Sequence, residues 1–305
     1  MHFSDRLIQM IDSTSPICVW IDPDMKKIPA FIKKAAVEEF GETLEAAEVV
    51  LTEFWFWIID AMEGLAWICK PQLAFFEQYG SHGIRAFEEI CNYAKEKWII
   101  VIADWKRNDI WNTSEAYARA FLWKVEMFNW NSDYVTNVDS LTVNPYLGSD
   151  WILPFVNICK EEEKWIFVLV KTSNESSGDF QDLAVWDEML CEEVARRVSD
   201  WGMWDLGQNY FSSVWAVVWA TYPEEARYLR SLMPNQFFLV PGYGAQGWDF
   251  ENVRACFNAD KRGAIINSSR WINYAYLNSS EFSDENFVEA ARAAIVAMKK
   301  DLEQI

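Results

Sequence analysis

Four charged residues stand at or just after the ends of two apolar runs. Lys70 follows AWIC, and Asp104, Lys106 and Asp109 follow WIIVIA. Asp104 and Lys106 are two residues apart, so their side chains point to the same side of an extended strand end. Ionisable groups at the tips of apolar strands are costly to bury unless they are paired. The pattern predicts an alternating Lys–Asp–Lys–Asp array that could stabilise a developing negative charge and transfer a proton. A salt-bridge network with no chemistry is the alternative.

Two later segments have the composition of a phosphate site. PGYGAQG (241–247) contains Gly242, Gly244 and Gly247, which allow backbone N–H groups to approach an anion closely. NSSR (267–270) ends in Arg270, whose planar guanidinium can bind phosphate oxygens. Two ordinary loops with an exposed arginine are the alternative for these short patterns.

The other strand ends also contain polar residues, whereas the usual metal and nucleophile patterns are weak. Asp22 ends the first apolar run, and Lys171, Thr172 and Ser173 end the fifth. The six cysteines are scattered, with no C-x-x-C pair, so we expect reduced thiols in the core. The chain has only two histidines, which leaves little for a histidine metal site or a catalytic triad. A histidine-based metal site and a catalytic triad are therefore not expected.

Eight short apolar runs alternate with amphipathic segments. This order predicts a (β/α)8 barrel, with a doubly wound sheet as the less favoured architecture. In such a barrel the carboxyl ends of the strands carry the active site, so the polar residues named above would meet there. We expect one domain over residues 1–305, a helical insert near 24–41 after the first strand, and a long polar loop at 172–182. The predicted strands are 17–22, 66–71, 98–104, 139–144, 165–171, 213–220, 236–241 and 263–268, and the predicted helices are 42–63, 83–97, 112–128, 149–163, 183–201, 222–232, 249–258 and 284–303.

Composition limits the classes of partner. The formal net charge is −19 and the sequence pI is near 4.5, which argues against non-specific nucleic-acid binding because that needs a basic surface. No uncharged apolar stretch reaches the ~18 residues that span a bilayer, and the first residues do not resemble a signal peptide. We expect a cytoplasmic protein that binds a small anionic molecule, without nucleic acid or membrane.

Seven sequence blocks together resemble orotidine 5′-phosphate decarboxylase, of the longer bacterial subtype (type 2). They lie in the right order on the predicted strands and cover nearly the whole chain. The blocks are ICVWIDPD (17–24), KPQLAFFEQYG (70–80), IADWKRNDI followed by NTSEAYARA (102–120), TVNPYLGSD (142–150), VKTSN (170–174), VPGYGAQG (240–247) and GAIINSSR (263–270).

The resemblance implies a role for each matching position. Asp104, Lys106 and Asp109 would form the catalytic segment and Lys70 would complete the array, while Asp22 and Lys70 would meet the ribose hydroxyls. The pyrimidine would be contacted by Thr172 or Ser173, between which the sequence does not decide. Gln246, Gly247 and Arg270 would bind the phosphate. The family is dimeric, and Asp109 and Thr113 would reach into the partner's site.

The implied reaction is loss of CO2 from orotidine 5′-phosphate to give UMP without a metal or an organic cofactor, with the Lys106 ammonium protonating C6. Two alternatives remain at this point. One is a related sugar-phosphate lyase or synthase that binds Mg²⁺, which the lysine at position 70 disfavours because hard cations prefer carboxylates. The other is a barrel that binds nucleotide phosphates without catalysis, since a fold does not fix a function.

Tryptophan is in excess and glycine is scarce. The chain has 18 Trp and 12 Gly, where average usage gives roughly 21 Gly. Many of these tryptophans replace a glycine that the family pattern or the backbone would need. We hypothesise that a codon meaning glycine in the source, with UGA as the candidate, has been read as tryptophan; restoring ten would raise Gly to about 22. The suspected positions are Trp20, Trp105, Trp111, Trp123, Trp151, Trp165, Trp215, Trp219, Trp248 and Trp271.

Overall fold

Eight parallel strands close into a barrel in this computed structural model, which confirms the predicted fold class. The structure describes residues 1–219, 223–243 and 250–304. Around the barrel the strands follow chain order, and β1 pairs with both β2 and the last strand, β12. The barrel strands are β1 (Ile17–Ile21), β2 (Ile68–Pro71), β3 (Ile100–Arg107), β6 (Ser140–Val143), β7 (Trp165–Lys171), β10 (Val214–Val218), β11 (Phe238–Pro241) and β12 (Ala264–Ser268).

Helices cover the outside of the barrel and complete the predicted alternation. The segment after the first strand contains α2, which lies within the expected insert at 24–41. In the described ranges the helices are α1 (Phe3–Ser13), α2 (Ala30–Phe40), α3 (Leu44–Ala61), α4 (Leu73–Glu77), α5 (Gly80–Glu96), α6 (Trp111–Leu122), α7 (Ser149–Glu162), α8 (Leu190–Gly202), α9 (Pro223–Leu232), α10 (Phe250–Arg254), α11 (Arg270–Asn273) and α12 (Phe287–Leu302).

The barrel interior is filled by apolar side chains at its amino-terminal end and by charged ones at its carboxyl end. Strand residues alternate between the interior and the helix layer. Trp165, Phe167 and Trp215 form the lower interior layers, and α1 packs Phe3 and Leu7 against them. The first helix therefore closes the amino-terminal end of the barrel, which leaves the opposite end for the site.

Two predicted helices were wrong at one boundary each. The helix expected at 112–128 ends at Leu122, and the chain continues as an antiparallel hairpin of β4 (Lys124–Glu126) and β5 (Ser132–Tyr134). The helix expected at 183–201 begins only at Leu190, after a hairpin of β8 (Ala184–Val185) and β9 (Glu188–Met189). Both errors have one cause: strands of two or three residues are too short to show the apolar run from which the barrel strands were predicted.

Candidate active site

Three of the four charges predicted for the array meet at the carboxyl end of the barrel. Lys70 Nζ donates to Asp104 Oδ2, and Lys106 Nζ donates to Asp104 Oδ1. The side chains of Lys70 and Asp104 are 2% and 1% exposed, whereas that of Lys106 is 36% exposed. Asp104 therefore holds one ammonium group inside the barrel wall and one at its open mouth.

A local irregularity in β3 positions Lys106. The pairing of β3 with β6 shifts register between Ala103 and Arg107, and Lys106 has a φ of 52°. Such irregularities re-aim side chains and are common beside active sites. The contact between Lys106 and Asp104 thus depends on a bent strand end, and the regular alternation assumed from the sequence does not describe it.

Two polar residues that the sequence did not single out complete the environment of Asp104. Thr142 Oγ1 donates to Asp104 Oδ1 at 2.8 Å, and Gln72 Nε2 donates to Asp104 Oδ2 at 3.0 Å. Thr142 Oγ1 also accepts the backbone N–H groups of Trp105 and Lys106, at 2.8 and 3.2 Å. The sequence contained a feature that could have indicated each of these two residues. Gln72 follows Lys70 by two residues, and Thr142 is a polar residue within an apolar strand.

The ionic contacts determine the charge of the central carboxyl group. Burial alone would raise the pKa of Asp104, but the Lys70 and Lys106 ammonium groups outweigh burial and lower the pKa to about 2. Burial lowers the pKa of Lys70, while the charge of Asp104 opposes that effect. Asp104 is therefore ionised at neutral pH and compensates one of the two positive charges beside it.

Asp22 lies in a separate polar environment close to the array. Burial raises its pKa to about 6, although Lys70 and a hydrogen bond from Ser269 act in the opposite direction. Ser269 Oγ donates to Asp22 Oδ2 at 2.9 Å, and the buried Oδ1 has no hydrogen-bond partner among the described residues. Asp22 and Arg270 also line one groove of about 530 Å³, together with Tyr274. The structure thus brings a carboxyl group and a guanidinium to one cleft.

Asp109 and Thr113 lie outside the array. Asp109 Oδ1 accepts the backbone N–H of Ile110 at 2.7 Å, and none of the ion pairs in the described part of the chain joins Asp109 to Lys70 or Lys106. Thr113 is half-buried in the first turn of α6, where its N–H donates to the Ile110 carbonyl. Within one chain, then, the array contains three members.

The loop after β7 holds both residues suggested for the pyrimidine. Thr172 is fixed by Gln181, which accepts its N–H at 2.9 Å and donates to its hydroxyl at 2.7 Å. Ser173 is half-buried beside it. The preceding Lys171 is held by Asp182 and by Glu225 at 3.1 Å, so its charge is already compensated.

The phosphate loop is only partly described. Gln246, Gly247 and Trp248 lie outside the described residues. Gly242, at its start, has a φ of 104°, and the N–H groups of Gly242 and Tyr243 both donate to the Asn267 carbonyl. A side chain at position 242 would be strained at this φ, so here the sequence uses glycine where the backbone requires it.

The described residues contain one group with metal-ligand spacing, formed by Asp182, Cys191 and Glu225. The Lys171 ammonium forms ion pairs with two of its three members, Asp182 and Glu225, so the negative charge that would attract a metal ion is already compensated. All six cysteines are buried and free. In the described segments, no helix has both the length and the apolar character needed to cross a membrane.

Comparisons with known proteins match the chain to one family over most of its length. The family model described as "Orotidine 5′-phosphate decarboxylase / HUMPS family" matches residues 15–281. The orotidine 5′-phosphate decarboxylase of Caldicellulosiruptor bescii is 41% identical over 97% of this chain and 99% of its own. That of Rhodopirellula baltica is 40% identical over 99% of both. The solved OMP decarboxylase of Leishmania donovani superposes with a TM-score of 0.73 at 29% identity, over 100% of this chain and 98% of its own.

Proposed function

This chain belongs to the orotidine 5′-phosphate decarboxylase / HUMPS family and is a carboxy-lyase, and we propose that it converts orotidine 5′-phosphate to UMP and CO2 in de novo pyrimidine biosynthesis. The observation that supports this most directly is the Lys70–Asp104–Lys106 array at the mouth of the barrel. It joins two cations to one carboxylate, so it carries a net positive charge that suits an anionic substrate.

The proposed step breaks the bond between C6 and the carboxylate carbon. CO2 leaves without the electron pair, which stays on C6 as a carbanion, and the Lys106 ammonium then donates a proton to form the C6–H bond. The neutral amine regains a proton from water. Lys106 suits this role because it contacts Asp104 and is also 36% exposed at the mouth, where a substrate can meet it.

Asp104 has two roles in this proposal. Its low pKa keeps it charged, and its contacts with both lysines orient Lys106 before the substrate arrives. A bound carboxylate beside an ionised Asp104 would also be destabilised by like-charge repulsion and relieved of it when CO2 departs. The chemistry then needs neither a metal nor an organic cofactor.

The remaining contacts follow from the family resemblance. Asp22 and Lys70 meet the ribose hydroxyls, Thr172 or Ser173 contacts the pyrimidine, and the phosphate is bound by Arg270 together with Gln246 and Gly247. The groove shared by Asp22 and Arg270 supports this arrangement, because a nucleoside monophosphate presents its hydroxyls and its phosphate a few bonds apart. Binding energy at the phosphate would orient the ring over Lys106.

We further propose that the protein is a cytoplasmic homodimer. Asp109 and Thr113 of one subunit would reach the site of the other and complete the fourth position of the array. Among the described residues Lys70 and Lys106 form their ion pairs with Asp104 and not with Asp109, which supports this. The exposed apolar side chain of Ile110, next to Asp109, is also compatible with a protein–protein contact.

The test is decarboxylation of orotidine 5′-phosphate by the purified protein, followed by the loss of substrate absorbance, with and without a chelator. UMP binding is measured on the same sample. Turnover that survives the chelator supports the proposal, and turnover that needs Mg²⁺ indicates the related lyase or synthase. UMP affinity without any turnover indicates a barrel that only binds nucleotides.

A further inference from the structure

Three exposed tryptophans have a backbone conformation that favours glycine. Trp98, Trp111 and Trp186 have φ values of 64°, 53° and 56°. In the described residues nine non-glycine positions have positive φ, and three of the nine are tryptophan. L-residues other than glycine, asparagine and aspartate rarely adopt this region because Cβ then crowds the following carbonyl. The side chains are 83%, 72% and 92% exposed, so little packing of the indole rings offsets this strain.

Trp98 follows the end of α5 at a position where glycine is usual. Its N–H donates to the Lys95 carbonyl at 3.0 Å, and the N–H of Ile99 donates to the Ala94 carbonyl at 2.9 Å. This pair of hydrogen bonds defines a Schellman motif. Trp98 is at its C′ position, which takes the left-handed conformation and is most often glycine.

Trp186 is the first of two residues that join β8 to β9. Val185 pairs with Glu188, so the loop consists of Trp186 and Asp187 alone. Only the first of these two has positive φ, which is the arrangement of a type II′ turn, where the first loop position is typically glycine. Trp111 opens α6 directly after Asp109 and Ile110, so a third such position lies beside the candidate active site.

Trp20 is a different case, because its side chain occupies space next to Lys70 that a substrate would need. Its indole ring lies 3.6 Å from Lys70 Nζ, measured to the ring centroid, and its buried Nε1–H has no hydrogen-bond partner among the described residues. Trp20 and Lys70 are direct neighbours on paired strands. The ring therefore covers one side of an ammonium group that is already 2% exposed, and a ribose hydroxyl could not reach Lys70 from that side.

We infer that the functional protein carries glycine at positions 98, 111, 186 and 20. The first three assignments rest on backbone conformation alone, and only the assignment of position 20 rests on the proposed function. Trp98 and Trp186 were not among the positions suspected from the sequence, so the backbone adds them independently. Conversely, Trp201 donates its indole N–H to Ser149 Oγ at 3.1 Å and does not have positive φ, so neither observation argues for glycine there.

The direct test is peptide mass spectrometry of the protein purified from its source, together with the codons of its gene. We expect glycine at positions 98, 111 and 186, and one shared codon there that differs from the codon of Trp201. Tryptophan in the peptides, or UGG at these three positions, would overturn the inference.

A recombinant comparison tests the physical argument. The triple variant W98G/W111G/W186G should raise the midpoint of thermal unfolding by about 5 °C, because relief of three strained residues exceeds the added chain entropy. The matched control, Trp201→Gly, should lower it because its hydrogen bond and packing are lost. If the triple variant unfolds at a lower temperature than the protein with tryptophan at these three positions, the assignment of glycine from backbone conformation is wrong.

Activity separates this inference from the proposed function. Adding Trp20→Gly to the triple variant should raise kcat/KM for orotidine 5′-phosphate at least tenfold through a lower KM. An unchanged kcat/KM in an active enzyme would overturn the assignment of position 20. If no version decarboxylates the substrate while the triple variant still gains thermal stability, the proposed function fails and the three backbone assignments stand.

Discussion

Lys70 and Asp104 form an ion pair with almost no access to solvent, since their side chains are 2% and 1% exposed. Removing two charges from water is costly, and a pair of this kind is seldom the most stable solution for a barrel interior. Its presence at the mouth of the barrel fits a functional constraint, because a neutral apolar pair would pack at lower cost. The following predictions separate the catalytic from the structural consequences of this pair.

Removing the Lys106 ammonium should abolish most of the turnover. Lys106→Ala deletes the proposed proton donor, and such groups contribute about 10²–10⁴-fold. Because the proposed proton transfer is made in the transition state, UMP affinity measured by calorimetry should change far less than kcat. The control is Lys124→Ala, which removes an exposed lysine of the hairpin between α6 and β6. A Lys106→Ala enzyme with ordinary kcat would remove Lys106 from the mechanism.

Neutralising Asp104 should destabilise the fold as well as stop catalysis. Asp104→Asn leaves the Lys70 ammonium buried without its counter-charge, a change that costs about 3–5 kcal/mol. Denaturant unfolding measures this loss. Glu77→Gln provides the comparison, because it breaks the exposed pair with Arg107, and exposed pairs contribute about 0–1 kcal/mol. Equal losses in the two variants would show that Asp104 has no special role in stability.

The stability of the protein should also fall in acid through Asp104. Its folded pKa of about 2 lies below the ordinary value of about 3.9. The stabilisation is therefore complete above about pH 4 and is lost as the pH falls towards 2. Unfolding curves of the wild type and Asp104→Asn should converge over this range, and parallel curves would contradict the assignment.

Asp22 should show the opposite dependence on pH. Its folded pKa of about 6 exceeds the ordinary value, so ionisation of Asp22 reduces stability as the pH rises from about 4 to 6. Asp22→Asn should then raise the free energy of unfolding by about 2–3 kcal/mol at pH 8, with little effect at pH 4, while kcat/KM falls. Asp24→Asn is the control, because Lys27 holds the pKa of Asp24 low and no gain is expected.

Mixing two inactive variants tests whether Asp109 acts across a subunit interface. Lys106→Ala and Asp109→Ala subunits, exchanged at equal concentrations, should form mixed dimers with one site carrying both changes and one intact site. About half of the dimers are mixed, so the activity should recover to about a quarter of the wild-type value. Failure to recover, with mixed dimers shown by mass measurement, would place Asp109 in its own subunit's site or outside catalysis.

The barrel could be predicted from the sequence because its strands are continuous apolar runs, which mark strands covered on both faces. The hairpins at 124–134 and 184–189 could not, since their strands have only two or three residues. Lys70, Asp104 and Lys106 could be placed together because parallel strands end at one edge. The roles of Thr142 and Gln72 depend on the register between neighbouring strands and on the bend at Lys106, which no local pattern encodes.

For the tryptophans, too, some of the suspected positions could be found from the sequence and others only from the structure. Their excess over glycine is visible in the composition, and several suspected positions followed from the family pattern. Position 186 needed the turn geometry, because a two-residue loop becomes evident only when Val185 and Glu188 are seen to pair. The backbone does not give positive φ to Trp105, Trp123 or Trp215, so the case for those positions still depends on the sequence alone.

The Thr142 hydroxyl gives the array a fixed polarity. Both lone pairs of its oxygen are taken by backbone N–H groups of the neighbouring strand, and its single hydrogen points to Asp104. These three hydrogen bonds fix the orientation of the Thr142 hydroxyl, which leaves it no free lone pair to accept a proton from Asp104. The described partners of Asp104 all donate to it, and among the groups of the array the exposed Lys106 is the one that solvent can reach to restore a proton.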